Sequence, residues 1–240
     1  MAHYLIKVNL VLILILNSVW LIADDIEKRT DIDWVSVKVE SDYWPSIPPS
    51  RISLGPEYTF AYSQTRLPSS FSMMKYEVSC QAMLASKVLS RLRHEQVSNL
   101  CEYGMDEAVT GIQFAEALSF CHAKGADLPT ESQWVFVASL VSETWLYEYG
   151  VIGEAPPKEE WASFKDAIDD TVLGPLGIQG LYGNVWEITR SLWAGQKGRY
   201  IIKGGSFDLA NKPWLMHPLL RATFIENDIH NQNIGFRCVK

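Results

Sequence analysis

The sequence predicts one globular domain in which short strands and short helices are mixed and joined by irregular links. Three observations carry this expectation. Apolar and polar residues alternate from Val35 to Val39, which is the period of a strand. Two stretches after residue 80 carry apolar residues on one helical face, and a third opens on a capping box. Residues 181–240 hold many glycines and aromatics but few regular periods. A chain of 240 residues, 48% hydrophobic and 20% charged, can enclose a real core. Its nine Trp and ten Tyr need packing or hydrogen-bond partners when buried, which also favours a folded body. Neither an internal repeat nor an evident linker divides it.

The first element is of another kind. Lys7 precedes an apolar run over residues 8–23, "VNLVLILILNSVWLIA", that ends at Asp24 and Asp25. The run is short for a bilayer span and fits the core of a signal peptide, so export to a periplasmic or extracellular space is expected. The alternative is an uncleaved segment that attaches the chain to the membrane through residues 8–23. The net charge of −7 argues against a nucleic-acid partner, because a phosphate backbone is bound by clustered Lys and Arg. The one basic cluster, "KVLSRLRHE" at 87–95, reads as the solvated face of a helix.

Further along, the strand at Val35–Val39 ends in the proline-rich "PSIPPS", and "RISLGPEYTFAYSQ" supplies further short strand candidates. "FSMMKYEVSC" is expected to be a strand feeding a helix from about Gln81 to Arg93, with Met83, Leu84, Val88 and Leu89 as its stripe. A second helix is expected from about Gly111 to Lys124, where Phe114, Ala117, Leu118 and Cys121 share a face and Gly125 ends the run. A third begins at Thr130, an N-cap with Gln133 as the reciprocal partner of a capping box and Pro129 and Trp134 placed for a staple. Residues 142–178 read as surface loop; the acidic "DAIDD" within them lacks the spacing of an EF-hand. Order beyond that is expected from side-chain packing and loop hydrogen bonds more than from a large sheet.

Four cysteines, Cys80, Cys101, Cys121 and Cys238, allow three disulfide pairings in an oxidising compartment, and none has the Cys-x-x-Cys spacing of a zinc ribbon or a redox dithiol. Cys121 is expected to point inward, and in "GFRCVK" the alternation puts Phe236 and Cys238 on one face and Arg237 on the other, so Cys121 is a candidate partner for Cys238. In "GNVWE", glycine-rich backbone and Glu187 could present carbonyls and charge to a hard cation, or form a tight turn anchored by Trp186. In "KGGSF", Gly204 and Gly205 read either as a phosphate-cradling nest or, with no helix pattern following, as a place where two backbones pass closely.

The motifs "MMKYEVS", "ALSFCHAKGADLPTESQW", "GIQGLYGNVWE", "KGGSF" and "NIGFRC" stand in the order and placement of the formylglycine-generating enzyme, or sulfatase-modifying-factor, domain, and the sequence resembles that family over residues 50–240. Residues 1–23 are then a signal peptide or anchor and 24–49 a lead-in segment. The resemblance implies a compact α+β domain related to the C-type lectin fold, low in regular secondary structure. It also implies a structural Cys121–Cys238 disulfide, leaving Cys80 and Cys101 to pair with each other. Members that make formylglycine bind copper through two cysteines after the "GGS" motif; the matching positions here are Leu209 and Trp214, which cannot supply thiolates. The family calcium site maps to Gly180, Gly183, Val185 and Glu187, so calcium is the expected cofactor, although Gly180 lacks the oxygen that members usually bring there.

Two functions follow as expectations. The first is an exported, non-catalytic binding or assembly protein whose partner is a protein, peptide or glycan of the cell envelope. Trp214, Leu215, Met216 and Leu219 then form either a recognition patch or the filling of the lost copper site. The alternative is an envelope oxidoreductase acting on a peptide-derived substrate without the cysteine–copper site. That reading requires a replacement set from Asp208, His217, Arg221, Glu226, Asp228 and His230 to converge in one cleft. Arg221 is otherwise expected to bond loop carbonyls or Glu187.

Overall fold

The alternation near residue 35 forms β1 (Trp34–Lys38), which pairs antiparallel with β3 (Ser70–Met74) in the register Ser36↔Ser72. A computed structural model describes residues 32–39, 59–60, 67–101, 104–141, 175–209, 212–226 and 232–240. The apolar run 8–23, the proline-rich 45–50, the acidic loop at 166–170, Asp228 and His230 lie outside those residues. No helix among the described residues is long and apolar enough to cross a membrane.

The expected helix at 81–93 is two helices, α1 (Cys80–Ala85) and α2 (Arg91–Leu100). Each has its own serine cap: Ser79 accepts from the Ala82 N–H and Ser90 from the Arg93 N–H. Between them Lys87 takes a positive φ of 61°, which no helix continues through. A continuous apolar stripe therefore masked a break set by two N-caps. The basic cluster is not wholly a solvated face, since Arg93 pairs with Glu116 and donates to the Gly111 carbonyl. The next two helices follow the expectation: α3 (Phe114–Ala123) buries Phe114, Ala117, Phe120 and Cys121, and α4 (Glu131–Ala138) starts with the Thr130–Gln133 capping box.

Residues 181–240 carry more sheet than their irregular pattern suggests. Strands β4 (Trp186–Leu192), β5 (Arg199–Lys203), β6 (Leu220–Ile225) and β7 (Ile234–Gly235) join β2 (Thr59–Phe60) in a five-stranded sheet of order β2-β6-β5-β4-β7. The β4–β7 pair is parallel and the rest are antiparallel. Trp186 to Thr189 are all buried, so β4 has no alternation to read, and its register with β5 shifts between Ile188 and Leu192. Helix α4 packs on β4 and β5, and Trp134 to Ala138 lie in the core with Ile178, Leu181, Tyr182 and Met216. The whole is the compact α+β fold of short elements that the resemblance implies.

Both disulfides have the implied pairing, Cys80–Cys101 and Cys121–Cys238. The second ties α3 to the last residues of the chain, whose Val239 also exchanges backbone hydrogen bonds with Asp127. These links fix the C-terminal segment, and with it Arg237, against β3 and the 177–187 loop.

Candidate functional site

The register of β4 against β5 sets Glu187 opposite Lys203, and both side chains are fully buried beneath α4. Trp134 lies between them: its indole N–H donates to Glu187 Oε2 at 2.9 Å, and Lys203 Nζ sits 5.6 Å from its ring centroid. On the far side of Glu187, Arg237 donates through Nε at 2.8 Å and Nη2 at 2.7 Å, one nitrogen to each carboxylate oxygen. The same guanidinium bonds the carbonyls of Met74, Lys75 and Gln179 and pairs with Glu77 at 3.3 Å. Beside Lys203, Glu131 takes a bidentate pair from Arg221 at 2.6 Å and lies 3.6 Å from Lys203 Nζ. Lys203 also donates to the Leu220 carbonyl. Burial draws the Lys203 ammonium down to about 8, against the upward pull of Glu131 and with the help of Arg221.

Three carboxylates and three cations thus form a connected network around Trp134, with Asn184 donating to Glu77 at its edge. Buried charges are tolerated only when paired in this way. Sequence reasoning had singled out Glu187 and Arg221 but neither pairing: Arg221 meets Glu131 rather than Glu187, and Glu187 accepts from Arg237 and Trp134. Glu77, Glu131, Lys203 and Arg237 were missed. The available signal was a charge set inside an apolar run, as Lys203 is after Tyr200, Ile201 and Ile202.

The network bears on calcium. Glu187 offers both oxygens to Arg237 and Trp134, and a cation placed there would share the carboxylate with a guanidinium. At Gly180, where φ is 71°, a Cβ would collide with the Glu77 carboxylate, so the space of the missing side chain is filled by a carboxylate from the segment that follows β3. Of the three positions Gly183, Val185 and Glu187, only Glu187 belongs to the ion-pair centre; the Gly183 N–H donates to the Gly204 carbonyl and Val185 is buried. Among the described residues no group of three or more His, Cys, Asp or Glu could hold a metal.

Asp208, His217 and Arg221, described members of the replacement set, each have partners of their own. Asp208 pairs with Ser206 and accepts from Asn233 at 3.0 Å, His217 is buried with Nδ1 accepting from the Leu219 N–H, and Arg221 belongs to Glu131. Of the four residues offered as a recognition patch, Leu215, Met216 and Leu219 are buried and Trp214 is half-buried. They fill rather than face solvent: Met216 lies in the core, where its Cγ would be 2.6 Å from a Cβ on Gly205, whose φ is 78°. "KGGSF" is accordingly a close backbone crossing under a packed side chain.

Among the described residues a cleft of about 750 Å³ lies between the α2 end, the 107–110 segment and the "GNV" turn. The ring of Phe207, 59% exposed, stands at it, and its backbone N–H is fixed on the Asn184 carbonyl at 2.8 Å. Asn99, Glu107, Thr110, Asn184 and Gln232 supply the polar lining, and the Cys80–Cys101 disulfide, Leu100, Ala108 and Val185 join Phe207 in the apolar part. Phe207 is two residues from Leu209, so the cleft opens beside the place where the resemblance expects the first thiolate.

Comparison with known proteins gives a consistent picture. The family model of the sulfatase-modifying factor enzyme 1-like domain matches residues 40–240. The chain is 29% identical to the uncharacterized protein YfmG of Bacillus subtilis (strain 168) across 55% of its own length, and spans about a third (35%) of that relative. Among solved structures, CarF matches with a TM-score of 0.53 at 19% identity, covering 88% of this chain and 98% of its own. Treponema denticola variable protein 1 matches with a TM-score of 0.48 at 14% identity, over 87% and 94%.

Proposed function

Because this chain belongs to the sulfatase-modifying factor enzyme 1-like domain family and yet carries Leu209 and Trp214 at the thiolate positions, we propose that it is an exported binding protein without that family's cysteine–copper oxidation. The single observation that carries the reading is the fate of the active region: the thiolate positions hold apolar side chains, Met216 packs beneath Gly205, and an open cleft with an exposed aromatic remains beside them. A copper ion needs soft sulfur or imidazole ligands, and Leu209 and Trp214 offer neither, so these two positions do not fit copper. A rigid base that displays side chains from irregular loops suits recognition. Export is supported by the apolar run 8–23 and by four cysteines that are all paired in disulfides. The partner is then a protein, peptide or glycan of the envelope.

The oxidation half of the proposal is tested by oxygen uptake. With copper(I) and a cysteine-containing peptide, the protein is expected to add nothing to the uptake of copper and peptide alone. Protein-dependent turnover would return the chain to the catalytic members of the family.

A further inference from the structure

From the lining of the cleft beside Phe207 we infer that its ligand is a neutral oligosaccharide, held by stacking one sugar ring on Phe207 and bonding its hydroxyls to the surrounding carboxamides. The inference rests on the binding reading above and names its ligand class.

Charge narrows the ligand first. None of the described lining residues is Lys, Arg or His, and Glu107 contributes a carboxylate. An anionic ligand would meet that carboxylate with no cation among the described lining residues to offset it, at a cost that grows as water is excluded. Phosphorylated, sulfated and acidic ligands are therefore disfavoured.

The polar groups narrow it further. Asn99 and Gln232 are exposed, and each carboxamide both donates and accepts; the Thr110 hydroxyl does the same, and Glu107 accepts only. Adjacent hydroxyls of a sugar also donate and accept, so such side chains match them without leaving a group unpaired. Of the apolar lining, Phe207 is the exposed ring, while Val185 and the disulfide cysteines are buried and Leu100 and Ala108 half-buried, so one flat face is offered as the C–H face of a pyranose requires. An extended peptide would instead seek a strand edge or alternate apolar pockets.

The walls are also held in place before a ligand arrives. Phe207 is pinned through its N–H to Asn184, Asn184 donates to Glu77, and Glu77 pairs with the buried Arg237. The Cys80–Cys101 disulfide holds the start of α1 against the end of α2, the side of the cleft that carries Asn99. Preorganisation of this kind reduces the ordering cost that otherwise weakens binding.

The test is calorimetric titration of the full chain with neutral tetrasaccharides of glucose, mannose, galactose and N-acetylglucosamine, with sulfated counterparts, and with neutral tetrapeptides. At least one neutral saccharide is expected to bind, its sulfated counterpart at least about ten-fold more weakly. Phe207→Ala should weaken binding by about ten-fold or more, as loss of a central aromatic contact does. Gln232→Ala, an exposed change that leaves the core intact, should weaken it several-fold. Silence of all four neutral saccharides, or unchanged affinity in both variants, overturns the inference. Binding of the peptides with the saccharides silent overturns it too, but leaves the binding reading standing. Failure of that broader reading shows separately, as copper-dependent oxygen uptake.

Discussion

Arg237 has no exposure to solvent, yet its guanidinium meets three backbone carbonyls and two carboxylates from two other parts of the chain. It is the residue on which the 177–187 loop, the end of β3 and the C-terminal segment agree. Arg237→Met removes the cation and leaves Glu187 and Glu77 buried against each other's charge, and breaking a buried pair in this way costs about 3–5 kcal/mol. Urea unfolding should show that loss, and Arg237→Lys should recover only part of it, because a single ammonium cannot span both Glu187 oxygens. A variant as stable as the wild type would remove Arg237 from the centre of the account. None of this was visible in "GFRCVK", where alternation placed Arg237 opposite Phe236 and Cys238 but could not say that both faces are buried. Alternation tells sides apart and is silent on what covers them.

At the scale of elements, local chemistry was legible and long-range pairing was not. The capping box at Thr130 and the inward stripe of α3 depend on residues within a turn of one another, and both are present. The strands β4 and β5 escaped because Trp186 to Thr189 and Ile201 to Lys203 are buried throughout, which erases the period of two. Their pairing nonetheless makes the network, since it sets Glu187 opposite Lys203. It also gives stability a pH dependence whose sign is fixed. The Lys203 ammonium titrates near 8 when folded, below its ordinary 10.5, so above pH 8 the unfolded chain holds more protons. The penalty for burying this charge is full below about 8 and lifts as pH rises toward 10.5. Tyr182, whose buried hydroxyl titrates well above 10, opposes the rise only once unfolded tyrosine ionises. Between pH 8 and 10 the Lys203 contribution to the unfolding free energy should therefore climb with pH, and Lys203→Met should remove that climb. Identical pH profiles for the two proteins would mean that Lys203 keeps its ordinary pKa.

At the scale of the molecule, the two disulfides have unequal work. Cys121–Cys238 closes a separation of 117 residues and Cys80–Cys101 one of 21. By loop-closure entropy the longer link contributes about 4–5 kcal/mol and the shorter about 3. Paired Cys→Ser replacement should thus lower the midpoint more at 121 and 238 than at 80 and 101, while the shorter loss should fall more heavily on ligand affinity because that bridge lines the cleft. The family and its disulfide pairing were legible from five separated motifs, but the cleft was not, since Asn99, Glu107, Thr110, Phe207 and Gln232 come together only through the fold. On the proposed reading, ligand binding beside Phe207 stands where other members of the family carry thiolate–copper chemistry. Native mass spectrometry of the exported protein, wild type and Phe207→Ala, tests it most directly. The account predicts a metal-free organic adduct on the wild type that Phe207→Ala loses; a stoichiometric redox metal on both proteins, with no organic adduct on either, would contradict it.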